Sequence, residues 1–171
     1  MEEQLKKIKL LLLDVDGVMT DGRIIFDSNG VESKFFNVKD GHGIKMAQRA
    51  GIEIGIISGR QSQVVAYRAA ELGITLVYQQ ALDKLTPYME ILDKTGLDDS
   101  RVAFIGDDIV DIPVLRRVGF AAAPADAVEE VFPHVHFVTK NGGGCGAVRE
   151  VCDLLLKGIG AWETITARYY Q

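Results

Sequence analysis

The 171-residue sequence is poor in cysteine and has no long apolar run, and each shortage excludes a class of protein. Its 2 cysteines are too few for a disulfide framework, which favours reduced thiols in a cytoplasmic protein. No apolar run has the length of a membrane span, and the charged N-terminus has neither an h-region nor a small-residue cleavage site, so we expect neither a signal peptide nor a membrane partner. Because 19 Lys and Arg face 24 Asp and Glu, the net charge of −5 argues against a nucleic-acid partner held by a basic patch.

The composition, with 47% hydrophobic and 25% charged residues, is typical of an ordinary globular protein. Short apolar runs alternate with helical segments, a pattern that indicates βαβ units and a parallel sheet. We therefore predict the α/β fold class, with a doubly wound, mostly parallel, Rossmann-like sheet and helices on both faces. The predicted strands are 10–13, 52–57, 74–77, 102–105, 120–122 and 135–138. The predicted helices are 40–50, 62–72, 85–94, 109–117, 125–131 and 147–157.

The chain length predicts a single domain, which we assign to residues 1–157. Residues 158–171 form a C-terminal tail that carries Trp162, Tyr169 and Tyr170 without amphipathic spacing. This tail is either disordered or docks its aromatic side chains on a neighbouring subunit.

A β-hairpin is predicted at about residues 23–36, because the turn sequence Asp27-Ser28-Asn29-Gly30 separates two short β-like segments. A two-stranded ribbon is marginal by itself and exposes open edges. We expect this projecting hairpin to pair with copies of itself and to give a closed oligomer, namely a homotetramer.

Two aspartates, Asp14 and Asp16, follow an unbroken run of four leucines at residues 10–13. Such a run is typical of a strand buried on both faces of a parallel sheet. Acids at the carboxyl end of that strand point into the crevice where open α/β sheets bind ligands. Carboxylates so close together repel each other unless a cation or a shared proton relieves them.

Three further polar groups follow the other predicted strands at the same edge of the sheet. They are Ser58-Gly59-Arg60, Lys84 and the acids Asp107, Asp108 and Asp111. Carboxylates without a nearby histidine or cysteine favour a hard cation such as Mg²⁺. A lysine and a serine can hold phosphate oxygens, and a free carboxylate can attack phosphorus. The set as a whole fits phosphoryl transfer.

The order of these motifs resembles that of the haloacid dehalogenase-like phosphatases over nearly the whole chain. The segment 14–18 reads Asp-Val-Asp-Gly-Val, which matches the DxDG(V/T) signature of that family. Ser58, Lys84 and the Gly106-Asp107-Asp108 motif follow in the family's order.

The resemblance implies a mechanism with Asp14 as the nucleophile and Asp16 as the general acid/base, through an aspartyl-phosphate. It implies that Ser58 and Lys84 bind the phosphoryl group. The implied Mg²⁺ ligands are the Asp14 side chain, the Asp16 backbone carbonyl and Asp107, supported by Asp108 or Asp111.

The insertions in this chain are too short for a cap domain. In this respect the chain resembles the small capless subgroup that acts on phosphorylated eight- and nine-carbon sugar acids. Members of that subgroup are typically homotetramers, with each active site completed by a neighbouring subunit. Thr20, Gly59, Arg60 and Arg68 are further candidates for substrate or phosphate binding, with a solvated surface arginine as the alternative for Arg60 and a surface ion pair as the alternative for Arg68. The chain departs from the pattern at Cys145, where the family has an arginine.

The expected reaction is the Mg²⁺-dependent hydrolysis of 3-deoxy-D-manno-octulosonate 8-phosphate, a step of lipopolysaccharide precursor synthesis. One alternative keeps the chemistry and changes the substrate to a nine-carbon 2-keto-3-deoxy sugar acid 9-phosphate. A second alternative is a non-catalytic interaction module on this scaffold. A third, mutase-like phosphoryl transfer, generally needs a larger cap to exclude water.

Overall fold

The computed structural model describes residues 2–171 as one parallel sheet covered by helices and a separate hairpin. The strands are β1 (Leu10–Leu13), β2 (Ile25–Phe26), β3 (Glu32–Ser33), β4 (Glu53–Ile57), β5 (Leu76–Tyr78), β6 (Val102–Ile105), β7 (Phe120–Ala123) and β8 (Phe137–Val138). The α-helices are α1 (Glu2–Leu5), α2 (Val38–Arg49), α3 (Gln63–Leu72), α4 (Leu85–Thr95), α5 (Ile112–Leu115), α6 (Ala147–Gly158) and α7 (Trp162–Thr166).

The sheet has six strands in the order β5-β4-β1-β6-β7-β8, and all of its pairings are parallel. Between β1 and β4 the described chain holds only the hairpin and α2, so residues 2–171 contain no cap domain. The predicted fold class is confirmed. None of the helices in this range combines the length and the apolar character needed to cross a membrane.

The four leucines of β1 divide the core into two layers, because side chains alternate between the faces of a strand. Leu11 and Leu13 pack with residues of α2, α3 and α6 on one face. Leu10 and Leu12 pack with residues of α4 and α5 on the other face. Both layers are fully buried at β1, which explains why this strand has no polar side chain before Asp14.

Later strands are added first on one side of β1 and then on its other side, and this change of side positions the site. The chain runs from β1 to β4 and β5 on one side, then crosses to β6, which pairs with the other edge of β1. Leu13 lies beside Ile56 on one flank and Ile105 on the other. The carboxyl ends of β1, β4 and β6 therefore meet at a topological switch point, where open α/β sheets bind ligands.

Two predicted helices differ in the structure. The segment predicted as a helix at 125–131 forms a 3₁₀-helix over Glu129–His134 instead, which contains Pro133. The segment predicted at 109–117 splits into a 3₁₀-helix, Ile109–Asp111, and the short α5. Pro113, which lacks the amide hydrogen that continues an α-helix, interrupts the second segment. In the first segment, the Val128 amide donates to the Asp107 carbonyl at 2.9 Å and not to a carbonyl of a helical turn.

Helix α2 begins earlier than predicted because Asn37, and not Asp40, is its N-cap. The Asn37 side chain accepts a hydrogen bond from the Lys39 amide at 2.8 Å. Asp40 lies inside the helix and accepts one from the Arg149 amide at the start of α6, also at 2.8 Å. Burial raises the pKa of the Asp40 carboxyl, and the backbone amides of Arg149 and Gly146 oppose that shift. Asp40 therefore joins two helices.

The hairpin forms as predicted, with β2 and β3 antiparallel. Asp27 Oδ1 closes its turn by accepting hydrogen bonds from the amides of Asn29 and Val31, each at 2.8 Å. The side chains of Phe26 and Phe35 are largely exposed on this hairpin.

The C-terminal tail folds back on its own chain, and its docking on a neighbouring subunit stays a prediction. After α7, the Tyr169 hydroxyl accepts a hydrogen bond from Arg49 Nη2 at 2.8 Å, and its ring meets His42 edge-on. The tail therefore covers part of α2.

Candidate active site

Lys84 is the buried centre of a group of charges at the carboxyl ends of β1 and β6. Its Nζ lies 3.0 Å from Asp14 Oδ1 and 2.5 Å from Asp111 Oδ1. Asp111 is fully buried, and its other oxygen accepts hydrogen bonds from the amides of Asp107 and Asp108 at 2.9 and 3.2 Å. We call Asp14, Lys84, Asp107 and Asp111 the strand-end cluster. Three carboxyl groups face one ammonium group in it.

The electrostatics of this cluster reflect its excess of acids. Burial raises the pKa of Asp14 to about 6, although Lys84 opposes the shift. Burial and the neighbouring carboxylates of Asp14 and Asp111 raise the pKa of Asp107 to about 8. Burial opposes the charge of Lys84, but the two carboxylates that contact it raise its pKa above the usual value. Lys84 is therefore a permanent cation, and one cation does not balance the cluster.

The strand-end cluster fits a divalent metal ion. Asp14, Asp107 and Asp111 each offer a carboxylate oxygen, and these oxygens lie within 4.8 Å of one another. Asp107 Oδ1 is buried and has no hydrogen-bond partner among residues 2–171. Carboxylate oxygens are the ligands that Mg²⁺ prefers. Because Asp111 is already engaged by Lys84 and two amides, Asp14 and Asp107 are the better ligands, and Asp111 orients the groups around them.

Gly17 allows Asp107 to approach the loop that follows β1. A Cβ atom at this position would lie 2.0 Å from Asp107 Oδ2. Its φ of 87° also lies in the left-handed region that favours glycine. Any side chain here would displace the Asp107 carboxylate, which gives the glycine of the DxDG signature a physical reason.

A cavity of about 230 Å³ opens beside the strand-end cluster. Eight of the predicted site residues line it: Asp14, Asp16, Ser58, Gly59, Arg60, Lys84, Asp107 and Asp108. Asp111 lies behind Lys84 and is sealed from solvent. The structure therefore brings together the motifs that follow four different strands.

Thr20 and Arg68 are not brought to this cavity. The buried Thr20 hydroxyl donates to the Val15 carbonyl at 3.4 Å and accepts from the Gly22 amide at 3.2 Å, so it shapes the loop after β1. Arg68 lies on α3, where it pairs with Glu71 at 2.8 Å and lies over the Phe36 ring. Their implied contact with substrate remains a prediction.

The glycine-rich segment 142–144 supports the same loop from behind. A Cβ atom on Gly143 would lie 1.8 Å from the Gly17 carbonyl oxygen. The Gly144 amide donates to the Val18 carbonyl at 2.9 Å. Cys145, which follows, is exposed and lies outside the cavity lining.

A second group of charges, on the hairpin, was missed by the sequence reasoning. Lys34 Nζ contacts Asp16 Oδ1 and lies 3.5 Å from Glu32 Oε1. Glu32 accepts hydrogen bonds from Arg60 Nη2, at 3.0 Å, and from the Ser62 hydroxyl. We call Asp16, Glu32, Lys34, Arg60 and Ser62 the hairpin cluster. The alternation of charged residues at 32 and 34 with Ser33 and Phe35 was the available signal, because it marks one face of a strand.

Arg60 reaches from the hairpin cluster into the cavity. Its Nη2 is held by Glu32, whereas its Nη1 is buried without a hydrogen-bond partner among residues 2–171 and lies 4.0 Å from Asp16 Oδ2. A buried guanidinium nitrogen with no acceptor is costly unless a ligand supplies one. Arg60, which lines the cavity, is therefore a candidate for contact with an anion.

Comparisons with known proteins agree with this geometry. The family model of the haloacid dehalogenase-like hydrolases matches residues 38–119. The 3-deoxy-D-manno-octulosonate 8-phosphate phosphatase KdsC of Escherichia coli strain K12 is 48% identical over 151 residues, which are 88% of this chain and 80% of that protein.

Solved structures of similar proteins cover almost the whole chain. The 3-deoxy-D-manno-octulosonate 8-phosphate phosphatase of Moraxella catarrhalis, in complex with a magnesium ion, a phosphate ion and a KDO molecule, is 40% identical with a TM-score of 0.96. It covers 98% of this chain, and 97% of that chain is covered. The phosphatase of the same name from Yersinia pestis is 45% identical with a TM-score of 0.93, over 95% of this chain and 88% of that one. The chain belongs to the haloacid dehalogenase-like hydrolase family.

Proposed function

We propose that this chain hydrolyses 3-deoxy-D-manno-octulosonate 8-phosphate to the free sugar acid and inorganic phosphate, with Mg²⁺ as its cofactor. The observation that carries the proposal is the contact of Lys84 with Asp14 at the edge of a cavity that Asp16, Ser58 and Asp107 also line. The similarity to phosphatases of that name, one of them solved with magnesium, phosphate and KDO, supports the substrate. The proposed reaction belongs to lipopolysaccharide precursor synthesis.

In the first step, the Asp14 carboxylate attacks phosphorus and the bond to the sugar oxygen breaks. Asp16 donates its proton to that departing oxygen, so that an alcohol and not an alkoxide leaves. Ser58 and Lys84 bind the oxygens of the phosphoryl group, and Lys84 stabilises their negative charge. Asp14, Asp107 and the Asp16 backbone carbonyl would hold Mg²⁺, which would supply further charge stabilisation to the same oxygens.

In the second step, Asp16 accepts a proton from a water molecule that attacks the phosphorus of the aspartyl-phosphate. The bond between Asp14 and phosphorus breaks, phosphate leaves, and Asp16 again carries a proton for the next cycle. Asp108 and Asp111 contribute by holding the backbone amides and Lys84 around the reacting carboxylates.

Arg60 is proposed to bind the anionic end of the sugar acid through Nη1. This nitrogen has no partner among the described residues and belongs to a side chain that lines the cavity. A guanidinium group matches the geometry of a carboxylate. We also propose that Thr20, Gly59 and Arg68 support substrate binding, Arg68 through an assembled oligomer because in one chain it lies outside the cavity.

The experiment that tests this function measures phosphate release from the eight-carbon 8-phosphate and from a nine-carbon 2-keto-3-deoxy 9-phosphate, each with Mg²⁺ and with EDTA. We expect Mg²⁺-dependent turnover with a clear preference for the eight-carbon substrate. Asp14→Asn should lower turnover by at least about 10⁴-fold and keep the circular dichroism spectrum, as the removal of a nucleophile does. Wild-type activity in this variant would overturn the mechanism, and a preference for the nine-carbon acid would overturn the substrate.

We further propose a cytoplasmic homotetramer in which residues 1–157 form the single catalytic domain and 158–171 a C-terminal appendage. The support is the set of exposed apolar side chains on and beside the hairpin: Ile24, Phe26, Val31, Phe35 and Val38. Apolar surface concentrated on a two-stranded ribbon favours self-association. Sedimentation should give a tetramer for the wild type and a smaller species for Phe26→Lys. A monomeric wild type would contradict the assembly.

A further inference from the structure

The inner face of the hairpin carries charged side chains, although buried positions of this kind usually hold apolar residues. Glu32 and Lys34 point towards the domain, and the Lys34 side chain is only 1% exposed. Their neighbours Ser33 and Phe35 point to solvent. Burying a lysine requires the loss of its hydration, and apolar residues of similar volume generally stabilise such a position as well or better. Stability alone therefore does not account for these two residues.

The partners of Glu32 and Lys34 are the two side chains that the reaction uses on this side of the cavity. Lys34 binds Asp16 through Oδ1, whereas Asp16 Oδ2 lies 4.0 Å from Arg60 and outside hydrogen-bond distance. One oxygen is thus fixed and the other is left for proton exchange with substrate and water. The distance from Lys34 to Glu32, 3.5 Å, shows that Glu32 in turn holds Lys34 in place.

Glu32 fixes Arg60 in a similar way. It takes Nη2 at 3.0 Å and leaves Nη1 buried and without a partner among residues 2–171, on a side chain that lines the cavity. It also binds the hydroxyl of Ser62, whose Oγ accepts a hydrogen bond from the Val65 amide at the start of α3. The carboxylate of Glu32 is thereby held by three groups, Lys34, Arg60 and Ser62, and cannot swing into the cavity without breaking all of them.

We propose that Glu32 and Lys34 are positioning residues of the active site, with Lys34 orienting Asp16 for proton transfer and Glu32 orienting Arg60 for the anionic end of the substrate. The hairpin is then a working part of the site and not only an assembly element. This inference rests on the proposed function. It assigns to the hairpin two separate effects, one on the departure of the leaving group and one on substrate recognition.

The test compares two substrates in the full-length protein with saturating Mg²⁺. The sugar-acid 8-phosphate has a poor leaving group and a carboxylate, whereas 4-nitrophenyl phosphate has a good leaving group and no carboxylate. For each variant we would measure kcat and KM. The ratio kcat/KM reports the steps up to the departure of the leaving group, where a good leaving group needs little help from Asp16.

Lys34→Met should lower kcat/KM for the sugar-acid phosphate by about 100-fold and that for 4-nitrophenyl phosphate by less than about fivefold, because proton donation contributes mainly to a poor leaving group. Lys34→Arg, which keeps the charge, should restore a substantial part of the loss. The matched control is Lys39→Met, which removes an exposed lysine outside the cavity. It should leave both substrates unaffected.

Glu32→Gln should raise KM for the sugar-acid phosphate by about tenfold and leave KM for 4-nitrophenyl phosphate unchanged, because only the first substrate has a carboxylate for Arg60. Its control is Glu53→Gln, at the exposed amino end of β4 and far from the site. Equal losses on both substrates would show that the hairpin residues only hold the fold together, and unchanged constants would show that they do nothing. Either result overturns the positioning role. If the wild type failed to hydrolyse the sugar-acid phosphate at all, the proposed function would fail instead.

Discussion

The strand-end cluster and the hairpin cluster border one cavity, yet their charges are arranged in opposite ways. The strand-end cluster sets the acids Asp14, Asp107 and Asp111 against Lys84 alone. The hairpin cluster pairs two acids, Asp16 and Glu32, with two cations, Lys34 and Arg60. An excess of buried negative charge favours the binding of a cation or a proton, whereas a balanced set is complete without one. The difference distinguishes the strand-end cluster, which we propose binds Mg²⁺, from the hairpin cluster, which we propose orients the side chains of Asp16 and Arg60.

The two clusters also differ in how the fold holds them. Asp14 directly extends a fully buried strand, and its amide donates to the Ile105 carbonyl of β6 at 3.0 Å. The hairpin cluster depends on β3, a strand of two residues in a ribbon that is marginal by itself. The sheet therefore holds the strand-end cluster in place, whereas the hairpin cluster depends mainly on its own ion pairs for its position.

The largest effect on stability is expected from Lys84→Met. This variant removes the sole cation of the strand-end cluster and leaves Asp14 and Asp111 buried without compensation. We expect the free energy of unfolding of the metal-free protein to fall by about 3 kcal/mol, the usual result of breaking a buried ion pair. Urea denaturation at pH 8 with EDTA measures it.

The same change in the hairpin cluster sharpens the comparison. Lys34→Met leaves Asp16 near Arg60 and partly exposed to solvent, so its loss of stability should be clearly smaller than that of Lys84→Met. An equal loss in the two variants would show that charge balance does not distinguish the clusters.

Asp107→Asn should stabilise the metal-free protein, because it relieves the excess of negative charge. The pKa of Asp107 is raised to about 8 in the fold, above its value in the unfolded chain. The stability that this carboxyl contributes is fully present below the unfolded pKa and is lost as the pH rises towards about 8. We expect the variant to exceed the wild type by about 2 kcal/mol at pH 8, since solvent at the open edge reduces the full linkage effect.

Two comparisons test the origin of that gain. At pH 4 the wild-type carboxyl is protonated in the fold, so the difference between the variant and the wild type should largely disappear. With Mg²⁺ at about 100 times its Kd, the wild type should gain about 2.7 kcal/mol and the variant much less, so the order of stabilities should reverse. If Asp107→Asn were less stable than the wild type in EDTA at pH 8, the excess of negative charge in the strand-end cluster would not be destabilising, and this interpretation would be wrong.

The strand-end cluster could be predicted from the sequence because its signals are local. Each of its residues follows an apolar run, and parallel topology brings the carboxyl ends of such strands to one edge. The roles of Ser58 and Gly59 as cavity residues follow from the same rule, and the structure places both there.

The hairpin cluster could not be predicted in the same way, because β2 and β3 form a separate sheet, and the rule that gathers the carboxyl ends of parallel strands does not place Glu32 or Lys34. The sequence shows that Glu32 and Lys34 share a face, but not which part of the domain that face meets. The helix predicted at 125–131 failed for another reason, since the Val128 amide donates to the Asp107 carbonyl at 2.9 Å, a tertiary contact that local spacing does not reveal. The role of Arg68 stays a prediction, because in the folded chain its side chain pairs with Glu71 away from the cavity.

The smallest effect, and the most specific for the hairpin, is expected from Ser62→Ala. This side chain caps α3 by accepting a hydrogen bond from the Val65 amide, and it donates one to Glu32. Loss of the cap should lower the free energy of unfolding by about 1 kcal/mol. Ser62→Asn keeps both an acceptor for the cap and a donor for Glu32, so it should lose less.

A double-mutant cycle with Glu32→Gln separates the cap from the link to the hairpin. If Ser62 and Glu32 act together, their coupling energy should exceed about 0.5 kcal/mol, whereas independent residues give additive changes. The same cycle between Ser62 and Lys84, which share no contact, should be additive. A coupling for Ser62 and Glu32 no larger than that of this control pair would mean that the hairpin is not anchored through α3, and the hairpin cluster would then depend on Lys34 and Arg60 alone.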